Sequence, residues 1–155
     1  VVWFYCPYRD IEAPDKSFPA YALFTKQGIQ TALALLTSRY PSIKLVYLSD
    51  QTYANYTNPG GPMTEPQAYH HGWACKWVIE DHLNGADSLP CWISWARYLW
   101  ADGINPRGDG LTWLCPQDFA SDGIHPSIPV GARKASDKLI NSFANDPSSK
   151  PWFLK

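Results

Sequence analysis

Hydrophobic residues fall into two short runs near the start of the chain. Residues 1–5 read Val1-Val2-Trp3-Phe4-Tyr5 and consist only of β-branched and aromatic side chains. Residues 43–48 form a second run, apolar except for Lys44, which Ser49-Asp50 closes. Continuous apolar runs of this length are typical of strands buried on both faces, as in parallel sheets. The pattern therefore predicts two central parallel strands.

Between these runs, the spacing of apolar residues changes to the helical period. Ser17 and Pro19 provide start signals, because a hydroxyl can cap the first amides and proline fixes φ in the first turn. A stripe of apolar side chains follows at helical spacing, and Pro41 stops the element. The stripe consists of Ile29, Leu33, Leu36 and Tyr40.

A second helix is predicted after a polar loop rich in glycine and proline. Thr64-Glu65-Pro66-Gln67 has the pattern of a capping box, with proline in the first turn. The helix should run to about Asn84, where Asn84-Gly85 can form a left-handed C-terminal turn. The aromatic segment from Cys91 to Trp100 is then compatible with a third strand.

The last predicted helix begins near Ser127, after a glycine- and aspartate-rich loop over residues 102–126. Ala132, Ala135, Leu139 and Phe143 form its apolar stripe, and Asn145-Asp146-Pro147 ends it. The alternation of strands and helices predicts one α/β domain over residues 1–155, with a parallel sheet. Chemistry in such sheets is found at the carboxyl ends of the strands.

The composition excludes several classes of protein. Hydrophobic residues make up 45% of the chain and charged residues 17%, which is typical of a globular domain. The net charge is −1, and no cluster of lysine or arginine favours nucleic acid or an anionic membrane. No apolar stretch reaches the ~20 residues needed to span a bilayer. We therefore expect neither a nucleic-acid partner nor a membrane span.

Cysteines and a glycosylation sequon favour a secreted or extracellular protein. The four cysteines, an even number, are compatible with two disulfides, and an oxidising compartment would preserve them. We expect at least one disulfide, with Cys75–Cys91 and Cys6–Cys115 as the first choice among three connectivities. Asn55-Tyr56-Thr57 is an N-glycosylation sequon in a polar loop.

The strongest chemical signal lies in the loop before the last helix. Asp122-Gly123-Ile124-His125-Pro126-Ser127 places a carboxylate three residues before an imidazole, in a turn that contains glycine and proline. At that spacing the carboxylate can orient the imidazole, which can then act as general base toward a hydroxyl nucleophile. The structural alternative is a turn in which Asp122 caps local amides and His125 is merely exposed.

The same segment resembles the last conserved block of SGNH/GDSL hydrolases, Asp-Gly-x-His-Pro-Ser followed by a helix that here carries Gly131 and Lys134. The resemblance implies that Asp122 and His125 are the acid and base of a catalytic triad. It further implies a flavodoxin-like three-layer α/β/α fold, and an enzyme that hydrolyses acyl or acetyl esters. Further similarity, to a bacterial branch of that superfamily, covers nearly all of the chain: residues 44–49 with Tyr53, 72–81, 95–113, and the ending Pro151-Trp152-Phe153.

This chain departs from the family's pattern in two places. No Gly-Asp-Ser motif, which carries the family's nucleophilic serine, is present. The segment expected to read Gly-x-Asn-Asp reads Cys6-Pro7-Tyr8-Arg9-Asp10 instead, so one oxyanion donor is absent. The sequence is therefore interpreted as the carboxyl-terminal part of the fold, without its nucleophile strand. We expect residues 1–5 to be covered by an amino-terminal segment, another chain, or a copy of this chain in a homo-oligomer.

Aromatic residues beside the proposed cleft are the candidates for binding an ester or carbohydrate substrate: Tyr53, Trp95 and Trp113. We interpret His71, Cys75 and His82 as core or cleft residues, and the aspartates of the loop as turn residues, so no metal and no cofactor is expected. Two functions remain: an ester hydrolase that obtains its serine from another segment, and a non-catalytic extracellular module with a carbohydrate-binding or structural role.

Overall fold

The structure of the chain is a computed structural model, which describes residues 1–5, 13, 15–50, 55–57 and 65–154. It has the predicted α/β class, with a small parallel sheet and helices between its strands. No helix of this described part is both long and apolar enough to cross a bilayer. In chain order the elements are β1 (Val2–Tyr5), α1 (Ala20–Arg39), β2 (Leu45–Ser49), α2 (Gln67–Leu83), β3 (Trp92–Trp95), α3 (Val130–Asn145) and α4 (Lys150–Phe153).

The sheet has the order β1-β2-β3, and both pairings are parallel. Val46 lies opposite Val2 on one side and Ile93 on the other. Every residue of β2 is buried, as its continuous apolar run predicts for a central strand. The third strand is shorter than the aromatic segment from Cys91 to Trp100 that suggested it, since only four residues pair.

Helices cover both faces of the sheet. On one face, α1 and α2 pack Leu33 and Val78 against Val46 and Ile93. On the other face, Leu139 of α3 packs with Tyr47 and Leu45. In the described part of the chain, α3 therefore packs on β2 from the face opposite to α1 and α2.

Burial of β1 on both faces, which its composition predicts, is not found within this chain. Phe4 and Val2 are partly buried against the core shared with α1 and α2. Trp3 and Tyr5, which point the other way, remain 48% and 40% exposed. The physical reason is position, because β1 is at the edge of the described sheet and Leu139 of α3 packs on its neighbour β2 instead.

The starts of α2 and α3 differ in detail from the predicted caps, whereas the predicted left-handed turn at the end of α2 is confirmed, with Gly85 at a φ of +70°. The capping-box prediction needs Thr64, which lies outside the described residues. Helix α2 has Pro66 as its cap residue, and Oε2 of Glu65 accepts a hydrogen bond from the Tyr69 amide in the first turn at 3.2 Å. Helix α3 begins three residues later than predicted, after Pro129, and Oγ of Ser127 accepts a hydrogen bond from the Gly131 amide at 3.1 Å. The short helix α4 was not predicted.

The predicted Cys75–Cys91 disulfide is not formed. Both cysteines are buried in the core that α2 shares with the sheet. No disulfide joins any two of Cys75, Cys91 and Cys115. The other predicted bond involves Cys6, which lies outside the described residues. The thiol of Cys91 is held in its protonated form, because burial and the nearby Asp87 carboxylate raise its pKa.

Candidate active site

The loop between β3 and α3 has a hydrophobic core of its own, and Trp113 is its centre. The Trp113 side chain is fully buried, and it packs with Leu99, Leu111 and Phe119. Its indole Nε1 donates a hydrogen bond to the Leu99 carbonyl at 2.8 Å. The side chain of Trp113, which the sequence predicts to bind substrate, is inaccessible in this structure, and it holds the loop together.

A buried ion pair fixes this loop to α3. The Asp118 carboxylate is buried, and its Oδ2 accepts hydrogen bonds from Lys134 Nζ at 2.6 Å and from the Leu114 amide at 2.9 Å. At Gly131 a Cβ would lie 1.8 Å from the Asp118 carbonyl oxygen, so only glycine permits this approach. Gly131 and Lys134 of the family-like block therefore have structural roles in positioning the loop.

The tip of the loop brings Asp122 and His125 together, and the predicted hydrogen bond between them is confirmed. Nδ1 of His125 donates to Oδ2 of Asp122 at 2.6 Å. Oδ1 of Asp122 accepts the amides of Ile124 and His125, both at 2.9 Å. All three hydrogen bonds fix the carboxylate in one orientation, so the imidazole ring is held by a rigid turn.

Gly123 makes this turn possible. Its φ is +68°, a left-handed conformation that side chains rarely adopt. A Cβ at this position would lie 2.1 Å from the Tyr56 carbonyl oxygen. The Asp122–His125 turn thus packs directly on the backbone of Tyr56 and Thr57.

The electrostatics of the pair suit a general base. The hydrogen bond from His125, with the two backbone amides, lowers the pKa of Asp122 to about 2. Asp122 is therefore ionised at neutral pH and holds the proton of the imidazole on Nδ1. The His125 side chain is 76% exposed, and in the described part of the chain its Nε2 has no hydrogen-bond partner. An accessible Nε2 opposite a fixed carboxylate can accept a proton from a hydroxyl.

A pH titration tests this geometry. We expect the Asp122 carboxyl carbon to titrate near pH 2 in ¹³C NMR spectra, and nearer the usual 3.8 in His125→Ala, which removes the largest cause of the shift. Since the folded-state pKa is lowered, the pair stabilises the fold above about pH 4, and this contribution is lost as the pH falls through 2. An unchanged Asp122 midpoint in the variant would contradict the pairing.

The residues that close β2 do not supply a nucleophile. Ser49 is fully buried, and its Oγ accepts a hydrogen bond from Trp3 Nε1 at 2.9 Å. Burial raises the pKa of Asp50 to about 8, although its Oδ1 accepts the Leu99 amide at 3.0 Å. Asp50 therefore joins the end of β2 to the loop after β3, and sequence reasoning gave it no such role.

The other loop aspartates have protein partners. Asp109 accepts hydrogen bonds from Arg107 and Arg97, and Asp102 accepts one from Asn105 at 2.9 Å. On α2, His82 Nδ1 pairs with Asp87 at 3.0 Å. Within the described ranges, no group of three or more metal-ligating side chains converges.

Among the predicted substrate-binding residues that the structure describes, Trp95 lines a cavity. This cavity has a volume of about 190 Å³, and we call it the aromatic pocket; its wall consists of Tyr69, Gly72, Trp73, Lys76, Trp95 and Tyr98. Tyr69, Trp73 and Lys76 recur at the helical spacing i, i+4, i+7, a signal that sequence reasoning missed. Tyr53 lies outside the described residues. Asn55 is exposed, with a φ of +62°.

Comparison with known proteins adds no relative: no family model matches the chain, and neither a curated protein nor a solved structure shows significant similarity to it.

Proposed function

We propose that this chain is the carboxyl-terminal part of an SGNH/GDSL-like ester hydrolase, secreted from the cell, that acts on acyl or acetyl esters. Asp122 is its acid and His125 its base. The observation that carries the proposal is the 2.6 Å hydrogen bond between Oδ2 of Asp122 and Nδ1 of His125, with Nε2 exposed. It is the arrangement in which an imidazole activates a serine.

In the proposed reaction the serine belongs to a polypeptide segment outside these 155 residues. His125 Nε2 takes the proton of the serine hydroxyl as the serine oxygen attacks the acyl carbon. The proton then passes from Nε2 to the oxygen of the departing alcohol. The acyl group remains bonded to the serine oxygen as an acyl-enzyme. A water molecule, deprotonated by His125, attacks the acyl carbon and releases the carboxylic acid and the free serine. Asp122 stabilises the imidazolium that forms in each half of the reaction, acylation and deacylation.

The exposed side of β1 supports the proposal of such a segment. Val1 and Trp3 are exposed beside a groove of about 240 Å³, whose wall also contains Phe143 and Trp152. Apolar surface next to a strand edge favours addition of another strand. We propose that a preceding segment with the serine pairs there and completes a flavodoxin-like sheet. A second chain or a copy of this one is the alternative occupant.

The isolated 155-residue chain tests the source of the nucleophile. We expect no hydrolysis of 4-nitrophenyl acetate above the background of free imidazole, because an acid–base pair without a serine has nothing to activate. Far-UV circular dichroism of the same sample verifies that the chain is folded. Turnover that His125→Ala abolishes would mean that a nucleophile lies within these residues, and would sink the proposal of a missing segment.

The alternative function is a non-catalytic carbohydrate-binding module, and the aromatic pocket is the observation that favours it. Its rings line a cavity without any contribution from the Asp122–His125 pair. Binding there is therefore compatible with a catalytic protein and with a non-catalytic one.

A further inference from the structure

We infer that the aromatic pocket binds a sugar ring that carries a carboxylate, such as a hexuronate of an acidic polysaccharide. The inference goes beyond the proposed esterase activity, because it concerns the binding of a ring and no ester is needed. It depends on the construction of the pocket, on the charges around it, and on the polar groups in its wall.

One wall of the pocket is rigidly built around Tyr98. The Tyr98 ring packs edge-on against Trp95 at 5.8 Å and stacks on Trp100 at 6.4 Å between ring centroids. Arg107 lies 5.2 Å from the Tyr98 ring and donates hydrogen bonds to the carbonyls of Tyr98 and Trp100. Asp109 in turn pairs with Arg107 at 2.7 Å, so the cation cannot move away.

The opposite wall is the amino-terminal half of α2, and Gly72 sets its distance from Tyr98. A Cβ at Gly72 would lie 2.6 Å from the Tyr98 ring. Tyr69 and Trp73 lie about one turn apart on the same face of the helix, and Gly72 lies between them in the sequence. Because any side chain at position 72 would displace the Tyr98 ring, glycine preserves the shape of the pocket.

The charges argue against a cationic ligand. Pockets of three or four aromatic rings commonly bind quaternary ammonium groups through ring quadrupoles. Here two of the four rings already have protein cations: Lys76 lies 4.7 Å from the Trp73 ring, and Arg107 lies over Tyr98. A further cation would have to compete with Lys76 and Arg107 for these two ring faces, so a neutral or anionic ligand fits better.

The polar groups favour a hydroxylated ring over an aromatic one. In the described part of the chain, the hydroxyls of Tyr69 and Tyr98 and the indole N–H groups of Trp73 and Trp95 have no protein hydrogen-bond partner. Burial raises the pKa of Tyr98, so its hydroxyl stays protonated and can donate. Pyranose rings combine apolar C–H faces, which stack on tryptophan and tyrosine, with hydroxyls that use such donors.

Lys76 supplies the preference for a carboxylate. In the described part of the chain, the carboxylate that pairs with its Nζ is that of Glu80, one helical turn away at 3.1 Å, and both side chains are about half exposed. Exposed pairs of this kind contribute little and exchange readily with an incoming anion. A carboxylate on the sugar ring can therefore replace Glu80 as the partner of Lys76.

Calorimetric titration with ester-free ligands tests the inference. We expect the protein to bind a galacturonate trisaccharide, and to bind a neutral galactose trisaccharide about 2- to 5-fold more weakly, as loss of one exposed ion pair implies. Lys76→Gln should abolish that preference. Gly72→Ala should weaken galacturonate binding at least about tenfold, since the displaced ring loses its stacking. Gly108→Ala is the matched control, because a Cβ there meets nothing within 4 Å.

Three results would overturn the inference: galacturonate binding that is absent at millimolar concentration, binding that Gly72→Ala leaves unchanged, or tighter binding of 4-hydroxycinnamate or tetramethylammonium. Lys76→Gln changes an exposed side chain, so it remains informative if Gly72→Ala fails to fold. As none of these ligands carries an ester, the outcome is independent of the proposed hydrolase activity.

Discussion

In the protein that contains both this chain and its serine, replacement of His125 by alanine is expected to lower kcat for acetyl-ester hydrolysis by about 10⁴- to 10⁶-fold. The structural reason is that Nε2 of His125 is the accessible nitrogen of an imidazole whose other nitrogen is fixed by Asp122 at 2.6 Å. Without the imidazole, the serine hydroxyl keeps its proton and attacks poorly. Steady-state kinetics with 4-nitrophenyl acetate would measure the loss.

The chain offers a matched control for this experiment. His82 also pairs through Nδ1 with an aspartate, Asp87, at 3.0 Å, but it lies at the far end of α2. We expect His82→Gln to leave kcat within a few-fold of the original value, and Asp122→Asn to lower it by about 10⁴-fold. Equal losses from His125→Ala and His82→Gln would point to instability and contradict a catalytic role for His125.

Replacement of Trp113 by alanine is expected to lower the free energy of unfolding by about 3–5 kcal/mol, the usual cost of removing a fully buried large aromatic side chain. Trp113 fills the core of the loop between β3 and α3, and its removal also leaves the Leu99 carbonyl without its indole donor. For a domain of this size the change corresponds to a fall in Tm of roughly 10 °C. Urea unfolding followed by circular dichroism would measure it.

Trp92→Ala is the control for Trp113, because that indole is 46% exposed on β3. Its loss should cost roughly 1 kcal/mol or less, as for most substitutions of partly exposed residues. Suppose that Trp113→Ala lowered the free energy of unfolding no more than Trp92→Ala does, but weakened carbohydrate binding. Trp113 would then be a ligand-binding residue, and its assignment to the core would be wrong.

The elements of the fold could be predicted where local sequence and tertiary position agree. The apolar run of β2 lies at the centre of the sheet, so composition and burial coincide. The Asp122–His125 hydrogen bond could also be predicted, because a three-residue turn with glycine determines it locally.

The remaining features depend on contacts between residues far apart in sequence. The sequence near Trp113 does not distinguish a buried indole from an exposed one, since two of the residues in its cluster, Leu99 and Ala135, lie 14 or more positions away. The composition of β1 suits a central strand, but its position at the edge depends on which strand pairs with it. The aromatic pocket likewise depends on Tyr98 meeting Gly72 across two elements.

The most direct test of the central claim is to label the protein purified from its natural source with a fluorophosphonate and to map the modified residue by mass spectrometry. We predict a single labelled serine in a peptide outside these 155 residues, with labelling lost in His125→Ala and retained in His82→Gln. Absence of any labelled serine in a natural protein whose intact mass equals the 17.5 kDa of this chain would contradict the account.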